Sequence, residues 1–204
     1  ATDTATLSIT VTEGTETPSV VSDVVTTPED TPVTIDVLNN DSPGSEGPLT
    51  ITQVNGQPID TTTPVVIKDP VSGQPIGTVT LDDNGTTDPT DDTLVFTPVD
   101  DYTGTVSFTY TVEDQIGTEL TAPVTVDVTP VNDPPAADDD TTNTPTGTPV
   151  TIDVLQNDSD PDGDPLTITH VNGTPVKDPV TGAPVDIPVP GGTVKLDDGG
   201  TPND

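Results

Sequence analysis

The residues Thr34-Ile35-Asp36-Val37-Leu38-Asn39-Asn40-Asp41 return almost unchanged as Thr151-Ile152-Asp153-Val154-Leu155-Gln156-Asn157-Asp158, 117 positions later. The same offset relates Leu49-Thr50-Ile51-Thr52 to Leu166-Thr167-Ile168-Thr169, and Asn55-Gly56 to Asn172-Gly173. A period this long is a whole domain, so the chain is built from copies of one module in series. Lys68-Asp69-Pro70-Val71 matches Lys177-Asp178-Pro179-Val180, and Gly77-Thr78-Val79-Thr80-Leu81 matches Gly192-Thr193-Val194-Lys195-Leu196, at changed offsets. Insertions near residues 60–67 and 186–191 account for the change, and both have loop composition.

Inside each copy the apolar residues alternate with period two. Val33, Ile35 and Val37 share one face while Thr34 and Asp36 face water, as half-buried strands require. Val106, Phe108, Tyr110 and Val112 alternate with Ser107, Thr109 and Thr111, and Val124, Val126 and Val128 do the same. Pro and Gly punctuate between these runs, and no sustained 3.6-residue period occurs. The expected class is all-β, with tandem Greek-key β-sandwiches of the immunoglobulin-like or cadherin-like type arranged end to end. Strands are expected near Val20, Val33, Leu49, Val65, Thr78, Leu94, Val106 and Val124, a count and spacing that suit such a sandwich. Phe96, Tyr102, Phe108 and Tyr110 would supply most of the large core side chains, with Tyr102 plugging a corner.

The expected division is residues 1–14 as the last strand of a preceding repeat, 15–131 as a complete sandwich and 132–204 as the first part of the next. The opening Ala1-Thr2-Asp3 suggests a piece of something longer. Residues 132–204 contain no counterpart of Leu94-Val95-Phe96 or of Val106 to Tyr110. An apolar face and strand edges there should be left uncovered, to be closed by strands of a parent chain or of a neighbouring copy.

Three Lys or Arg stand against 36 Asp or Glu, a formal net charge of -33. Such a chain repels nucleic acid and anionic membranes and attracts cations. No apolar run approaches the roughly 20 residues needed to cross a bilayer, so direct membrane insertion is not expected. With no Cys, disulfides, thiolate metal sites and cysteine nucleophiles are excluded. His170, the one histidine, aligns with Gln53 as a surface residue, and the pairs Asp82-Asp83, Asp91-Asp92, Asp100-Asp101 and Asp197-Asp198 have the flanking residues of hydrated turns. No nucleophile stands beside a base, so catalysis is not expected.

In Asp158-x-Asp160-x-Asp162-Gly163-Asp164 carboxylates recur at every second residue, and a Gly permits a sharp turn. Several oxygens can then converge on one hard cation. Ca²⁺, which accepts six to eight oxygens in flexible geometry, suits this better than Mg²⁺. The Glu and flanking helices of an EF-hand are missing.

That loop, following the expected strand Val150 to Leu155, resembles the Asp-rich loop of cadherin repeats. Val131-Asn132-Asp133-Pro134 is similar to their calcium-carrying linker, and Pro28-Glu29-Asp30 to their first-strand glutamate. Closer still, Glu29 to Asp41 and Phe96-Thr97-Pro98-Val99-Asp100-Asp101-Tyr102-Thr103-Gly104 resemble the cadherin-like tandem repeats of giant bacterial RTX adhesins. The resemblance implies a calcium junction between the repeats at which Glu29, Glu113, Asp114, Asn132 and Asp133 meet Asp158, Asp160, Asp162 and Asp164. Asp138, Asp139 and Asp140 could equally be a charged strand start facing water. In the first copy Pro43, Gly44, Ser45, Glu46 and Gly47 replace Asp160 to Asp164, and Glu13-Gly14-Thr15-Glu16 replaces the linker, so the upstream junction should bind calcium weakly or not at all.

The resemblance further implies an extracellular, calcium-stiffened extender on the surface of a Gram-negative bacterium, whose partners are neighbouring repeats of the same chain. Two other functions fit the sequence. One is a self-assembling filament in which copies share strands; the other is an ice- or sugar-binding module, for which Thr-rich strand faces speak and exposed aromatics are wanting.

Overall fold

The computed structural model describes Ser8 and residues 16–197. The strand expected over residues 1–14 therefore lies, Ser8 apart, outside the described residues. The chain divides into two compact units at the Val131–Asn132 bond.

The first unit is a sandwich of two sheets. One has the order β1-β9-β8-β3-β4, from β1 (Asp23–Pro28), β9 (Glu119–Thr129), β8 (Gly104–Glu113), β3 (Thr50–Val54) and β4 (Gln57–Pro58). The other is β2-β7-β6-β5, from β2 (Val33–Ile35), β7 (Thr93–Pro98), β6 (Pro75–Asp82) and β5 (Val65–Lys68). Pairing is antiparallel except for β1 against β9. The described residues contain no helix, and the class is all-β as the period-two pattern predicts.

The first strand starts three residues later than expected. Val20 packs against the core just ahead of it, beside an isolated bridge between Ser19 and Ser42. Thr111 also departs from the simple alternation. It is buried because its hydroxyl pairs with that of Thr121 across the β8–β9 ladder at 2.9 Å, while the Thr52 hydroxyl donates to its carbonyl.

Core side chains come from both inner faces, with Ile35, Val79, Leu94 and Phe96 opposite Val106, Phe108, Tyr110, Val124 and Val126. Phe96 and Phe108 stack with ring centroids 6.3 Å apart. Tyr110 is wholly buried, and its hydroxyl finds Asp41 Oδ2 at 2.8 Å and the carbonyls of Val21 and Val37 at 3.2 Å. Tyr102 sits half-buried in the β7–β8 loop, its amide donating to the Val99 carbonyl.

Gly77 makes room for this packing, since a Cβ there would lie 2.4 Å from Phe96 Cε2 and 2.8 Å from the Thr97 carbonyl oxygen. Gly77→Ala should cost roughly 1–3 kcal/mol by overpacking, seen as a lower denaturant midpoint at unchanged slope. Its counterpart Gly192 has nothing within 4 Å of the same position, so Gly192→Ala should be close to neutral.

The second unit repeats the hydrogen bonds of the first, not only its residues. The amide of Val21 donates to Asp41 Oδ1 at 2.8 Å, as that of Asp138 does to Asp158 Oδ1 at 2.9 Å. The Ser19–Ser42 bridge returns as Ala136–Ser159. Asp69 collects the amides of Val71 and Ser72 as Asp178 collects those of Val180 and Thr181. Asn55 and Asn172 both turn with φ 50, next to hairpins β3–β4 and β10 (His170–Val171)–β11 (Thr174–Pro175).

Yet among the described residues the second unit holds only these two strands and the hairpin of β12 (Ile187–Val189) and β13 (Gly192–Val194). The strand expected at Val150 to Leu155 does not form among the described residues. Its counterpart β2 pairs with Leu94 to Phe96, and residues 132–204 have no equivalent segment. Val150 and Ile152 are each left 45% exposed, whereas Val176 and Ile187 are buried.

Candidate metal centre

β9 ends at Thr129, and the chain leaves the first unit through Pro130 and Val131. Three loop residues gather at this end. The Glu29 side chain is 4% exposed and its Oε1 accepts the Val131 amide at 2.6 Å, while the Glu29 amide donates to the Thr129 carbonyl. Asp30 and Asp101 follow, from the β1–β2 turn and the β7–β8 loop. The Asp101 amide donates to Asp30 Oδ1 at 3.0 Å, and both residues have positive φ, 57 and 58. Asp tolerates that conformation because its short side chain can bond locally.

Glu113 and Asp114 do not belong to this group. Glu113 pairs with Glu119 at the far end of the β8–β9 ladder, whose near end pairs Gly104 with Val128. A ten-residue stretch of strand, about 30 Å, separates them from the linker. Asp114 instead organises the β8–β9 turn, its Oδ1 accepting the amides of Ile116 at 3.0 Å and Thr118 at 2.7 Å. Burial would raise its carboxyl, but the hydrogen bonds from Thr118, Ile116 and Gly117 outweigh that and hold it low. Asp101, bonded to Asp30, stands instead at the end where the chain leaves the first unit. Its signal was present in Asp100-Asp101-Tyr102, the phrase that follows β7.

In the second unit the Asp-rich loop is a folded turn. Asp160 Oδ1 accepts the amides of Asp162 at 3.0 Å and Asp164 at 3.2 Å, and Gly163 takes φ 74. Asp162 Oδ2 accepts the Asp133 amide at 2.7 Å, which draws the linker onto the loop. Asn132 Nδ2 bonds locally to the Asp133 carbonyl. Asp138 and Asp139 enter through their main chains, the Asp139 carbonyl accepting from Asn157. Asp158 does for Asp138 what Asp41 does for Val21, a structural task that needs no ion.

The same framework exists in the first copy with less charge. Ser45 occupies the slot of Asp162, and its Oγ accepts the Glu16 amide at 2.8 Å. A hydroxyl thus suffices to hold linker to loop, and the carboxylate at Asp162 carries a charge the fold does not require. Asp160, Asp162 and Asp164 offer hard oxygens only, the donor set that calcium or magnesium takes and that zinc or copper does not prefer. The residues present fit calcium.

A second acidic group lies at the start of β1, beside the middle of β9. Asp23 is pushed up to about 6, first by desolvation and then by Asp41, with Asp36 adding to this and the hydrogen bonds of Asn40 and Tyr110 opposing it. Desolvation also raises Asp41. A native carboxyl that holds its proton more tightly than the unfolded chain does gains stability as pH falls from about 6 toward 4. Asp23 is partly solvated, so the gain is roughly 1 kcal/mol after screening. Asp60, Asp69 and Asp88 are lowered by local hydrogen bonds, led by those of Thr62, Ser72 and Thr90, and their contribution is lost below about pH 4. Calcium-free protein should therefore melt at a higher temperature at pH 5 than at pH 7.5, and at a lower one again by pH 3.

A family model described as Bacterial Ig domain matches residues 15–129 and again residues 132–203. No curated protein and no solved structure matches the chain.

Proposed function

This chain belongs to the bacterial Ig domain family, and on that premise we propose that it is a calcium-stiffened extender of an extracellular bacterial adhesin or surface fibre. Domains of this family are typically structural and non-catalytic and commonly occur in surface proteins. The observation that carries the proposal is the charge at Asp162, which does with a carboxylate what Ser45 does with a hydroxyl. Asp30 and Asp101 from the first unit, and Asp133, Asp160, Asp162 and Asp164 from the second, are the ligand candidates. Glu29 positions the linker main chain. A bound calcium ion supplies the charge neutralisation and shared ligation that would hold successive repeats in line. Without it, crowded carboxylates repel one another and the repeats swing. Extracellular modules bind calcium at about 10⁻⁴ to 10⁻³ M, so the device works outside a cell and not in the cytosol. The RTX character, the Gram-negative surface and the tethering of a distal adhesive region belong to this reading. Small-angle scattering with and without calcium tests it.

The exposed Val150 and Ile152 favour one alternative, a filament whose copies exchange strands by edge addition. Filaments in electron micrographs of the purified chain would support it. An ice-binding module would use the Thr-rich strand faces, while for sugar binding no aromatic is among the exposed large hydrophobics of the described residues.

A further inference from the structure

The dipeptide Asn-Gly occurs at Asn55-Gly56, Asn84-Gly85 and Asn172-Gly173. All six residues are exposed and all have positive φ, 50, 49 and 50 for the asparagines and 71, 72 and 75 for the glycines. Asparagine before glycine carries its own reactive pair of atoms. The glycine nitrogen, which no Cβ shields, attacks the asparagine Cγ. An N–Cγ bond forms, the Cγ–Nδ2 bond breaks, and ammonia leaves with the proton that the main-chain nitrogen gives up. Water then opens the cyclic imide at one of its two carbonyls, leaving aspartate or isoaspartate. Attack requires the main chain to rotate out of the turn, so the rate follows how easily each turn opens.

The three turns are held shut by different means. Asn55 Oδ1 accepts the Thr109 amide at 2.8 Å, and the Asn55 amide donates to the Thr109 carbonyl at 2.8 Å. Its hairpin β3–β4 is also part of the five-stranded sheet. At the second turn the Asn84 amide donates to Asp82 Oδ1 and the Gly85 amide, the attacking nitrogen, to Asp83 Oδ1, both at 3.0 Å. Asn84 Nδ2 is tied to the Asp91 carbonyl.

Asn172 has no such lock. The partner of Asn55 lies on β8, and residues 132–204 contain no counterpart of that strand. Among the described residues no hydrogen bond reaches the Asn172 side chain. The hairpin β10–β11 is a two-stranded sheet by itself, extended by one bond from the Val176 amide to the Thr169 carbonyl. A hairpin of two strands alone is marginally stable in water.

We propose that Asn172 is a self-modification site, converted to aspartate and isoaspartate while Asn55 and Asn84 stay intact in the folded chain. Either product adds a negative charge. Isoaspartate also adds a carbon to the main chain inside a two-residue turn, which the tight Asn-Gly geometry does not accommodate, so the β10–β11 pairing is lost with it. The second repeat is thus where the chain ages first. The proposal does not depend on calcium at the linker.

The test is peptide mapping by mass spectrometry of the 204-residue chain after days in mildly alkaline buffer made with heavy-oxygen water. Heavy oxygen should enter the Asn172 peptide at least about tenfold faster than the peptides of Asn55 and Asn84, whose hydrogen bonds must break first. In urea the three peptides should label at similar rates, and isoaspartyl methyltransferase should methylate the Asn172 peptide from the folded sample. Labelling of Asn55 or Asn84 as fast as Asn172 in the folded chain, an unlabelled Asn172, or the same ranking in urea overturns the proposal.

Discussion

Phe96→Ala should lower the melting temperature of the first unit by about 10–20 °C, the largest effect of any single substitution here. Truncating a buried Phe costs about 3–5 kcal/mol through lost transfer energy and the cavity left behind, out of a total of about 5–15 kcal/mol for a domain. A unit of this size loses a few degrees per kcal/mol. The site has little capacity to collapse. Phe96 is fully buried, lies in β7 between Val33 of β2 and Val79 of β6, stacks on Phe108 and covers Gly77. In a chain that is 28% hydrophobic and 2% aromatic, no other large residue can take over. Phe96→Leu should cost less, and in that background Gly77→Ala should cost less than in the parent, because the two positions share the same space. Calorimetry on the parent and these four variants decides this; a loss below about 1 kcal/mol for Phe96→Ala contradicts the packing described.

Asp162→Ser should weaken calcium binding at the linker at least tenfold while leaving the second unit folded. The substitution copies the first repeat, in which the Ser45 hydroxyl accepts the Glu16 amide at 2.8 Å as Asp162 accepts that of Asp133. Structure is thereby preserved and one formal charge removed, a cleaner change than Asp162→Ala, which would also orphan an amide. Calorimetric titration with calcium measures the affinity and circular dichroism checks the fold. Unaltered affinity would mean that Asp162 serves the turn alone.

Much of this architecture was legible in the residues. The 117-residue offset and the alternation of Val33, Ile35 and Val37 pointed to tandem sandwiches, because side-chain direction in a strand follows from position alone. Less legible was which strands would form in the second copy. Val150 to Leu155 has the same pattern as β2, but a strand is a pairing, and residues 132–204 hold no counterpart of the β7 partner. The misplacement of Glu113 and Asp114 has another cause. Their type suits calcium, but they stand at the turn of a long hairpin whose other end carries the linker, and a ladder from Gly104–Val128 to Glu113–Glu119 puts the turn out of reach. Asp101 was passed over for the opposite reason, since the pair Asp100-Asp101, though visible, looks like any hydrated turn until the fold brings Asp30 to it.

The most direct measurement is small-angle scattering of the chain in millimolar calcium and in EDTA, with Asp162→Ser alongside. A stiffened junction predicts a longer maximum dimension and a narrower distance distribution with calcium, both abolished in the variant. Superimposable curves in calcium and EDTA, at a calcium concentration where binding is saturated, would contradict the extender reading.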